Sequence, residues 1–182
     1  PDTSARSSDW GASQAYLAHL AVTDSRRGRF HFATRTSRGA LGLAGAQAEP
    51  FRVHVEDWEA LGEGGSAFAV RLRADDEDVA VDLRLESTKS PVLQGERGLS
   101  RKGPEPGNAS YYYSLTRMSA RGAVRVGTES LEVEGLAWMD REWSTSAVGQ
   151  DLAGWDWFAL QLDDGRELMY YRLRRRDGTA DP

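Results

Sequence analysis

Hydrophobic and polar residues alternate along most of the chain, which is the pattern of strands with one buried face. In residues 79–86, VAVDLRLE, an aliphatic side chain occupies every second position, and most of the intervening positions are charged. The same alternation occurs in residues 68–73, and the acidic stretch 75–78 between the two segments is turn-prone. These two segments therefore predict a β-hairpin.

Similar segments recur at short spacing, and they predict roughly ten strands in all. No segment of helical length carries an apolar stripe with helical spacing, and the glycines are scattered where strands need turns. Residues 36–50 and 94–109 are the least strand-like, and the second predicts a loop. The sequence predicts an all-β fold, either a sandwich or an antiparallel barrel, and successive hairpins favour the barrel. The remaining strand-like segments are 16–22, 29–35, 51–55, 110–116, 122–126, 130–138, 155–162 and 167–173.

Composition narrows the chemistry. The 182 residues are 40% hydrophobic and contain no cysteine, which excludes disulfides, thiolate metal sites and cysteine nucleophiles. The net charge of -5, with basic residues interleaved among acidic ones, disfavours a nucleic-acid partner. There is no G-x-S-x-G, Walker or G-x-G-x-x-G motif, and no apolar run reaches the roughly 20 residues that span a bilayer.

Four of the six tryptophans fall between positions 138 and 157. In a strand, Trp155 and Trp157 share one face and Asp156 lies on the other. This face either packs in a core or lines a ligand cavity, and the pattern leaves both interpretations open.

Three consecutive tyrosines, Tyr111, Tyr112 and Tyr113, alternate in direction in a strand, so they cannot all enter one core. At least one hydroxyl therefore faces a second surface or a polar cavity, where it could orient a ligand. An aromatic pair on the outer face of a sheet is the alternative.

Two carboxylates, Asp140 and Glu142, lie between Trp138 and Trp143. A carboxyl group beside indole rings is in a setting that raises its pKa, and a protonated carboxyl can serve as a general acid. The alternative is an ion pair with Arg141.

The three histidines, His19, His31 and His54, lie in predicted strands without the spacing of metal ligands, so no metal site is predicted. His19 has apolar neighbours, and it is either a cavity-facing catalytic or orienting group or a structural histidine. Arg101 and Lys102 either meet an anionic head group or are simply solvated.

Several segments in this order resemble a known family. The most specific elements are SRKGP, YYYS, W-x-D-x-E-W and GWDW. The chain resembles the AttH-like, carotenoid 1,2-hydratase-related lipocalin superfamily of bacterial proteins, some members of which are described as predicted secreted hydrolases. The resembling segments are 18–24, 37–53, 93–114, 135–143 and 154–178.

The resemblance implies a lipocalin-like antiparallel β-barrel followed by the first strands of a second, similar barrel. The expected division is an incomplete first domain at 1–145, then a linker and an opening hairpin at 146–182. The chain is expected to be an interior fragment of a longer two-barrel protein, in which open sheet edges pair with the remaining parts or with a second copy.

The resemblance also implies a ligand, an extended hydrophobic molecule such as an isoprenoid, a carotenoid or a lipid. Hydratase relatives protonate an alkene and trap the cation with water. By similarity, Asp140 is the candidate proton donor, with Glu142 or His19 as helper. Neither a cofactor nor a metal is expected. The candidate ligand-binding residues are Tyr111, Tyr112, Tyr113, Trp138, Trp143, Trp155, Asp156 and Trp157.

Two rival functions stay open, a binding or transport protein without chemistry and, less favoured, a secreted hydrolase. The expected location is the bacterial periplasm or the exterior, although no signal peptide is visible in this chain. Proximity to a membrane surface and a homo-oligomeric state are further expectations.

Overall fold

A computed structural model of the protein describes residues 9, 11–65, 68–103, 107–144 and 152–180. These residues form thirteen β-strands and one short 3-10 turn at Glu63–Gly65. The strands are β1 (Ala15–Asp24), β2 (Arg29–Arg38), β3 (Ala44–Gln47), β4 (Arg52–Val55), β5 (Trp58–Gly62), β6 (Ala69–Asp75), β7 (Val79–Ser87), β8 (Val92–Leu93), β9 (Leu99–Arg101), β10 (Ala109–Val126), β11 (Glu129–Ser144), β12 (Leu152–Gln161) and β13 (Glu167–Arg175). The all-β prediction is confirmed.

Most strands pair with their neighbours in sequence, in antiparallel fashion. The hairpin predicted from residues 68–86 is β6–β7, in register from Ala69 opposite Glu86 to Asp75 opposite Ala80. β1 and β2 form a separate two-stranded sheet, and so do β12 and β13. The larger sheet has the order β11-β10-β7-β6-β5-β4-β3, with β8 and β9 also paired to β10. Among the described residues this order is an open path and not a closed ring.

The chain divides into two compact units. The first comprises residues 1–86 and 119–135, and the second comprises residues 87–118 and 136–182. The domain boundary predicted at residues 145 and 146 falls within 145–151, outside the described residues, so that division stays a prediction.

The core of the first unit gathers alternate aliphatic residues around Trp58. Because they alternate with polar residues in their strands, one face of each strand is buried. The Trp58 indole N–H donates to the carbonyl oxygen of Asp75 at 2.8 Å, and the Arg35 guanidinium lies 4.8 Å from the Trp58 ring centroid. Trp58 is thereby buried with its polar atom satisfied. The cluster consists of Leu20, Ala33, Trp58, Ala74, Val79 and Val81.

Two details differ from the sequence prediction. Residues 36–50 contain β3, whose small residues carry no hydrophobic alternation because the strand approaches β4 closely. A Cβ on Gly45 would lie 3.0 Å from Cε1 of the facing His54. The segments 110–116 and 122–126 are parts of one long strand, β10. This strand continues through Gly122, whose φ is 144° and where a Cβ would lie 2.1 Å from the Asp82 carbonyl oxygen.

The second unit holds the β12–β13 hairpin against β10 and β11 through polar contacts. Gln161 Nε2 donates to the carbonyl oxygens of Thr116 and Ala137, at 2.8 and 3.0 Å. Glu167 accepts from Arg117 at 2.5 Å and from Lys89 at 2.7 Å. These contacts fix which face of the hairpin lies over β10.

No helix long and apolar enough to cross a membrane occurs in the part of the chain that the structure describes.

Candidate functional site

A cavity of about 490 Å³ lies within the second unit. It is bounded by β10, the C-terminal part of β11, the β12–β13 hairpin and the segment after β9. Five of its eleven lining residues are aromatic, and its polar residues include two carboxylates and one ammonium group. The lining residues are Lys102, Ser110, Tyr112, Asp140, Glu142, Trp143, Ser144, Trp155, Trp157, Tyr171 and Leu173.

Strand β10 contributes one face to this region. Ser110, Tyr112 and Ser114 occupy alternate positions, and all three are buried. Tyr111 lies on the opposite face and is 58% exposed. The period of two in the strand thus selects Tyr112, among the three consecutive tyrosines, as the one that lines the cavity.

Asp140 is held by hydrogen bonds from β10 and from its own strand. Its Oδ1 accepts from the Ser114 hydroxyl at 2.5 Å and from the Trp138 indole N–H at 2.9 Å. Ser114 in turn accepts from Gln94 Nε2 at 2.9 Å. Because Ser114 and Trp138 lie in strands and the Ser114 hydroxyl is also held by Gln94, the Asp140 carboxyl group is fixed in orientation at the edge of the cavity.

Glu142, two residues further along β11, is paired with a cation. Its Oε1 lies 2.6 Å from Lys102 Nζ and also accepts from the Ser110 hydroxyl. Burial raises the pKa of Glu142, but the Lys102 ammonium and the Ser110 hydroxyl outweigh it, and the net pKa lies below the ordinary value. Glu142 is therefore a carboxylate at neutral pH.

Lys102 lies between two aromatic rings. Its Nζ is 5.0 Å from the centroid of Tyr171 and 5.5 Å from that of Tyr112. Burial raises the pKa of the Tyr112 hydroxyl, a hydrogen bond involving Trp157 opposes this, and the Asp140 charge adds to the increase. Tyr112 consequently stays protonated at neutral pH and can donate a hydrogen bond.

The hairpin supplies the aromatic wall. Trp155 faces Leu173 and Trp157 faces Tyr171 across the β12–β13 ladder, and all four line the cavity. The Trp157 ring also meets Trp138 edge to face at 6.3 Å. Of the two interpretations of the tryptophan pair, lining a cavity is the one that this placement supports.

Other predicted residues lie elsewhere. Asp156 is on the opposite face of β12 from the two tryptophans, paired with Arg172 at 2.8 Å and Arg174 at 3.2 Å. It does not line the cavity, because successive residues of a strand point to opposite sides.

Tyr111 and Tyr113 pack against Trp143, with ring centroids at 6.0 and 6.2 Å. Arg141 donates to the Tyr113 hydroxyl at 3.0 Å. Lys102 is a cation that contacts Glu142, and this ion pair joins β11 to the segment after β9.

His19 belongs to the first unit, where it is exposed on β1 and its ring lies 5.3 Å from that of Phe32. It is not among the residues that line the cavity. The described residues also contain no group of three or more His, Cys, Asp or Glu side chains that could hold a metal ion.

Several residues that line the cavity are not predicted as site residues by the sequence. Ser110 and Ser144 are small and polar, and Leu173 looks like any alternating strand residue. The sequence does contain one useful signal, because Ser110, Tyr112 and Ser114 occupy alternate positions of one strand and therefore lie on the same face. Lys102 was considered only as a head-group contact or a solvated residue, because its pairing with Glu142 joins residues 40 positions apart in sequence.

Comparison with known proteins identifies the family. A family model described as AttH-like matches residues 1–182. The chain belongs to the AttH-like family. Among solved structures, it is 34% identical to an AttH protein from Nitrosomonas europaea, with a TM-score of 0.85 over 93% of this chain and 54% of that one.

A second likeness among solved structures concerns the fold alone. Kievitone hydratase from Nectria haematococca is 16% identical, with a TM-score of 0.63 over 91% of this chain and 53% of that one. The AttH-like chain thus spans about half the length of these two structures. The predicted lipocalin-like fold class is confirmed. A search of curated protein sequences finds no match.

Proposed function

We propose that the cavity of the second unit binds an extended, largely apolar small molecule. The observation that carries this proposal is the aromatic wall formed by Trp155, Trp157, Tyr112 and Tyr171 around a space of about 490 Å³. Cavities of this size, apolar with a few placed polar groups, are the usual form of small-molecule sites.

Ligand binding can be tested by tryptophan fluorescence. All-trans-retinol is a suitable probe, because its polyene absorption overlaps indole emission and bound retinol would quench nearby tryptophans by energy transfer. The proposal expects saturable quenching by retinol. Quenching that only rises linearly with retinol, or none at all, would overturn the binding function.

The position of Asp140 favours a second candidate, acid-catalysed hydration of a carbon–carbon double bond. In this step Asp140 takes a proton from solvent and gives it to one alkene carbon, and the other carbon becomes a cation. A water oxygen bonds to that carbon and loses a proton to the Asp140 carboxylate, which restores the acid. Aromatic faces such as Trp157 stabilise a nearby positive charge. The likeness in fold to a protein described as a hydratase agrees with this candidate.

The hydration step predicts a specific loss in Asp140→Asn, which keeps the shape of the side chain but cannot supply the acidic proton. The assay incubates the protein with an acyclic polyene in ¹⁸O-labelled water and measures the labelled alcohol by mass spectrometry. We expect labelled product with the native chain, none with Asp140→Asn, and retained quenching by retinol in both.

Glu134→Gln is the matched control, because Glu134 is an exposed carboxylate on the same strand and does not line the cavity. It should keep full turnover. Product formation that survives in Asp140→Asn would show that Asp140 is not the proton donor. A native chain that binds polyene without forming product would leave the protein as a binding or transport protein.

A further inference from the structure

The cavity contains an ion pair that neither its aromatic wall nor the hydration step uses. Lys102 and Glu142 both line the cavity, with Nζ 2.6 Å from Oε1, and their side chains are 21% and 39% exposed. Taking two charges partly out of water costs free energy that a hydrophobic pair would not cost. A purely structural role would not require the pair to face the ligand space.

Both members keep capacity for further hydrogen bonds. An ammonium group has three donors, and the contact with Glu142 uses one of them. A carboxylate has acceptor sites on two oxygens, and the Lys102 and Ser110 contacts both engage Oε1. The pair therefore presents a donor and an acceptor side by side, which matches a group that can accept and donate at once.

The charges in the cavity favour a neutral group over an anion. The Lys102 ammonium is already balanced by Glu142, and the Asp140 carboxyl lines the same cavity. A carboxylate on the ligand would lie beside the Glu142 carboxylate, and Lys102, the one cation among the described lining residues, is already paired with Glu142. A hydroxyl group would meet no such penalty.

We propose that Lys102 and Glu142 form a specificity subsite for a neutral hydroxyl group at one end of an otherwise apolar ligand. The ligand oxygen accepts a hydrogen bond from Lys102, and its O–H donates to Glu142. This inference rests on the proposed binding function and narrows the ligand class to oxygenated amphiphiles, such as terpenoid alcohols, in preference to pure hydrocarbons or their acids.

The test compares three probes that share one polyene: all-trans-retinol, its hydrocarbon analogue axerophthene, and retinoate. Affinities come from the quenching of tryptophan fluorescence. A hydrogen bond to a charged group predicts that retinol binds about tenfold more tightly than axerophthene. Retinoate should bind more weakly than retinol. In Lys102→Met the ratio of the retinol and axerophthene affinities should fall, because the methionine removes the donor while Glu142 stays as an acceptor.

Two variants keep the result interpretable. Lys102→Met leaves Glu142 without its cation, so the double variant Lys102→Met/Glu142→Leu provides an uncharged subsite, and it should bind axerophthene while losing the preference for retinol. Arg166→Met is the matched control, because Arg166 also pairs with a carboxylate of the second unit, Asp164, but its side chain is exposed and does not line the cavity. It should keep the native preference.

The outcomes separate the two proposals. If axerophthene and retinol bind the native chain equally well, or if the native preference for retinol is unchanged in the double variant, the subsite is overturned and the apolar cavity stands. Tighter binding of retinoate than of retinol would also overturn the subsite, since it would assign an anion to it. If neither probe binds, the cavity proposal fails and the subsite fails with it.

Discussion

Trp157 and Phe158 are adjacent in β12, and both are aromatic and partly exposed, but they face different surroundings. Trp157 lines the cavity and meets Trp138, whereas Phe158 lies on the opposite face and stacks on Tyr170 at 6.4 Å. This pair of residues allows the role of the aromatic wall to be tested against a neighbour of similar size.

Trp157→Ala should weaken retinol binding about tenfold or more, because an aromatic side chain that contacts the ligand contributes roughly 1.5–3 kcal/mol by burial of apolar surface. The measurement is quenching of the remaining tryptophans by retinol.

Phe158→Ala is the matched control and should leave the retinol affinity unchanged. Equal losses in the two variants, with folded circular-dichroism spectra, would mean that ligand binding does not depend on the cavity-facing side of the hairpin.

At the scale of single residues, the strand period predicted more of the site than residue type did. It separated Trp155 and Trp157 from Asp156, and it required the three consecutive tyrosines to divide between two faces. The period alone could not show that Asp156 lies outside the cavity, because which face of a strand points inward depends on what packs against that face. The two arginines that pair with Asp156 lie on β13, so the pattern of residues around Asp156 could not predict these contacts.

The hairpin as an element is held by Gln161, whose side chain satisfies two carbonyl oxygens of neighbouring strands. Removing the amide leaves those two acceptors without this donor in a partly buried position. Gln161→Leu should therefore lower the free energy of unfolding by about 1–3 kcal/mol, the cost of unsatisfied polar groups. Urea unfolding followed by tryptophan fluorescence measures the change.

Gln47→Leu offers a matched comparison. Gln47 Nε2 donates to the Pro50 carbonyl oxygen across an exposed turn, so water can replace the bond, and the effect should stay within about 0.5 kcal/mol. A loss in Gln161→Leu no larger than that in Gln47→Leu would contradict the role of Gln161 in holding the hairpin.

Elements with clear alternation were predicted well. The β6–β7 and β12–β13 hairpins are confirmed where the sequence placed them, because each has a turn-forming stretch between two alternating segments. β3 was missed because Ala44, Gly45 and Ala46 are small. Small side chains fit there because β4 lies close to β3. This closeness is a property of the pair of strands and cannot be read from either strand's sequence alone.

At the scale of the whole molecule, six carboxyl groups among the described residues have a pKa below the ordinary value. In five of them the largest cause is a side-chain hydrogen bond, as from Arg71 to Asp82 and from Lys89 to Glu167. In Glu142 burial acts in the opposite direction and is outweighed. The six are Asp24, Asp82, Glu142, Asp164, Glu167 and Asp177.

These shifts predict the direction of the pH dependence of stability. Below the ordinary pKa values of about 4, the unfolded chain binds more protons than the folded chain, so stability is present above that range and is lost as the pH falls through the folded values. The urea midpoint should therefore decrease steadily from about pH 5 to about pH 3.

Salt provides the control for this prediction. Most of the carboxyl groups are exposed, so about 1 M sodium chloride should screen their ion pairs and reduce the slope. A urea midpoint that stays constant or rises between about pH 5 and about pH 3 would contradict a stabilising role for these carboxylates.

The sequence by itself determined the fold class, most strand positions and the family, because alternation, turn residues and ordered motifs are local properties of the chain. It also determined that Trp155 and Trp157 share a face. Only the tertiary structure decided that this face looks into a cavity, that Tyr112 lines it, and that Lys102 neutralises Glu142. Those outcomes depend on which distant segments meet, and a contact between residues 40 positions apart leaves no mark in the local pattern.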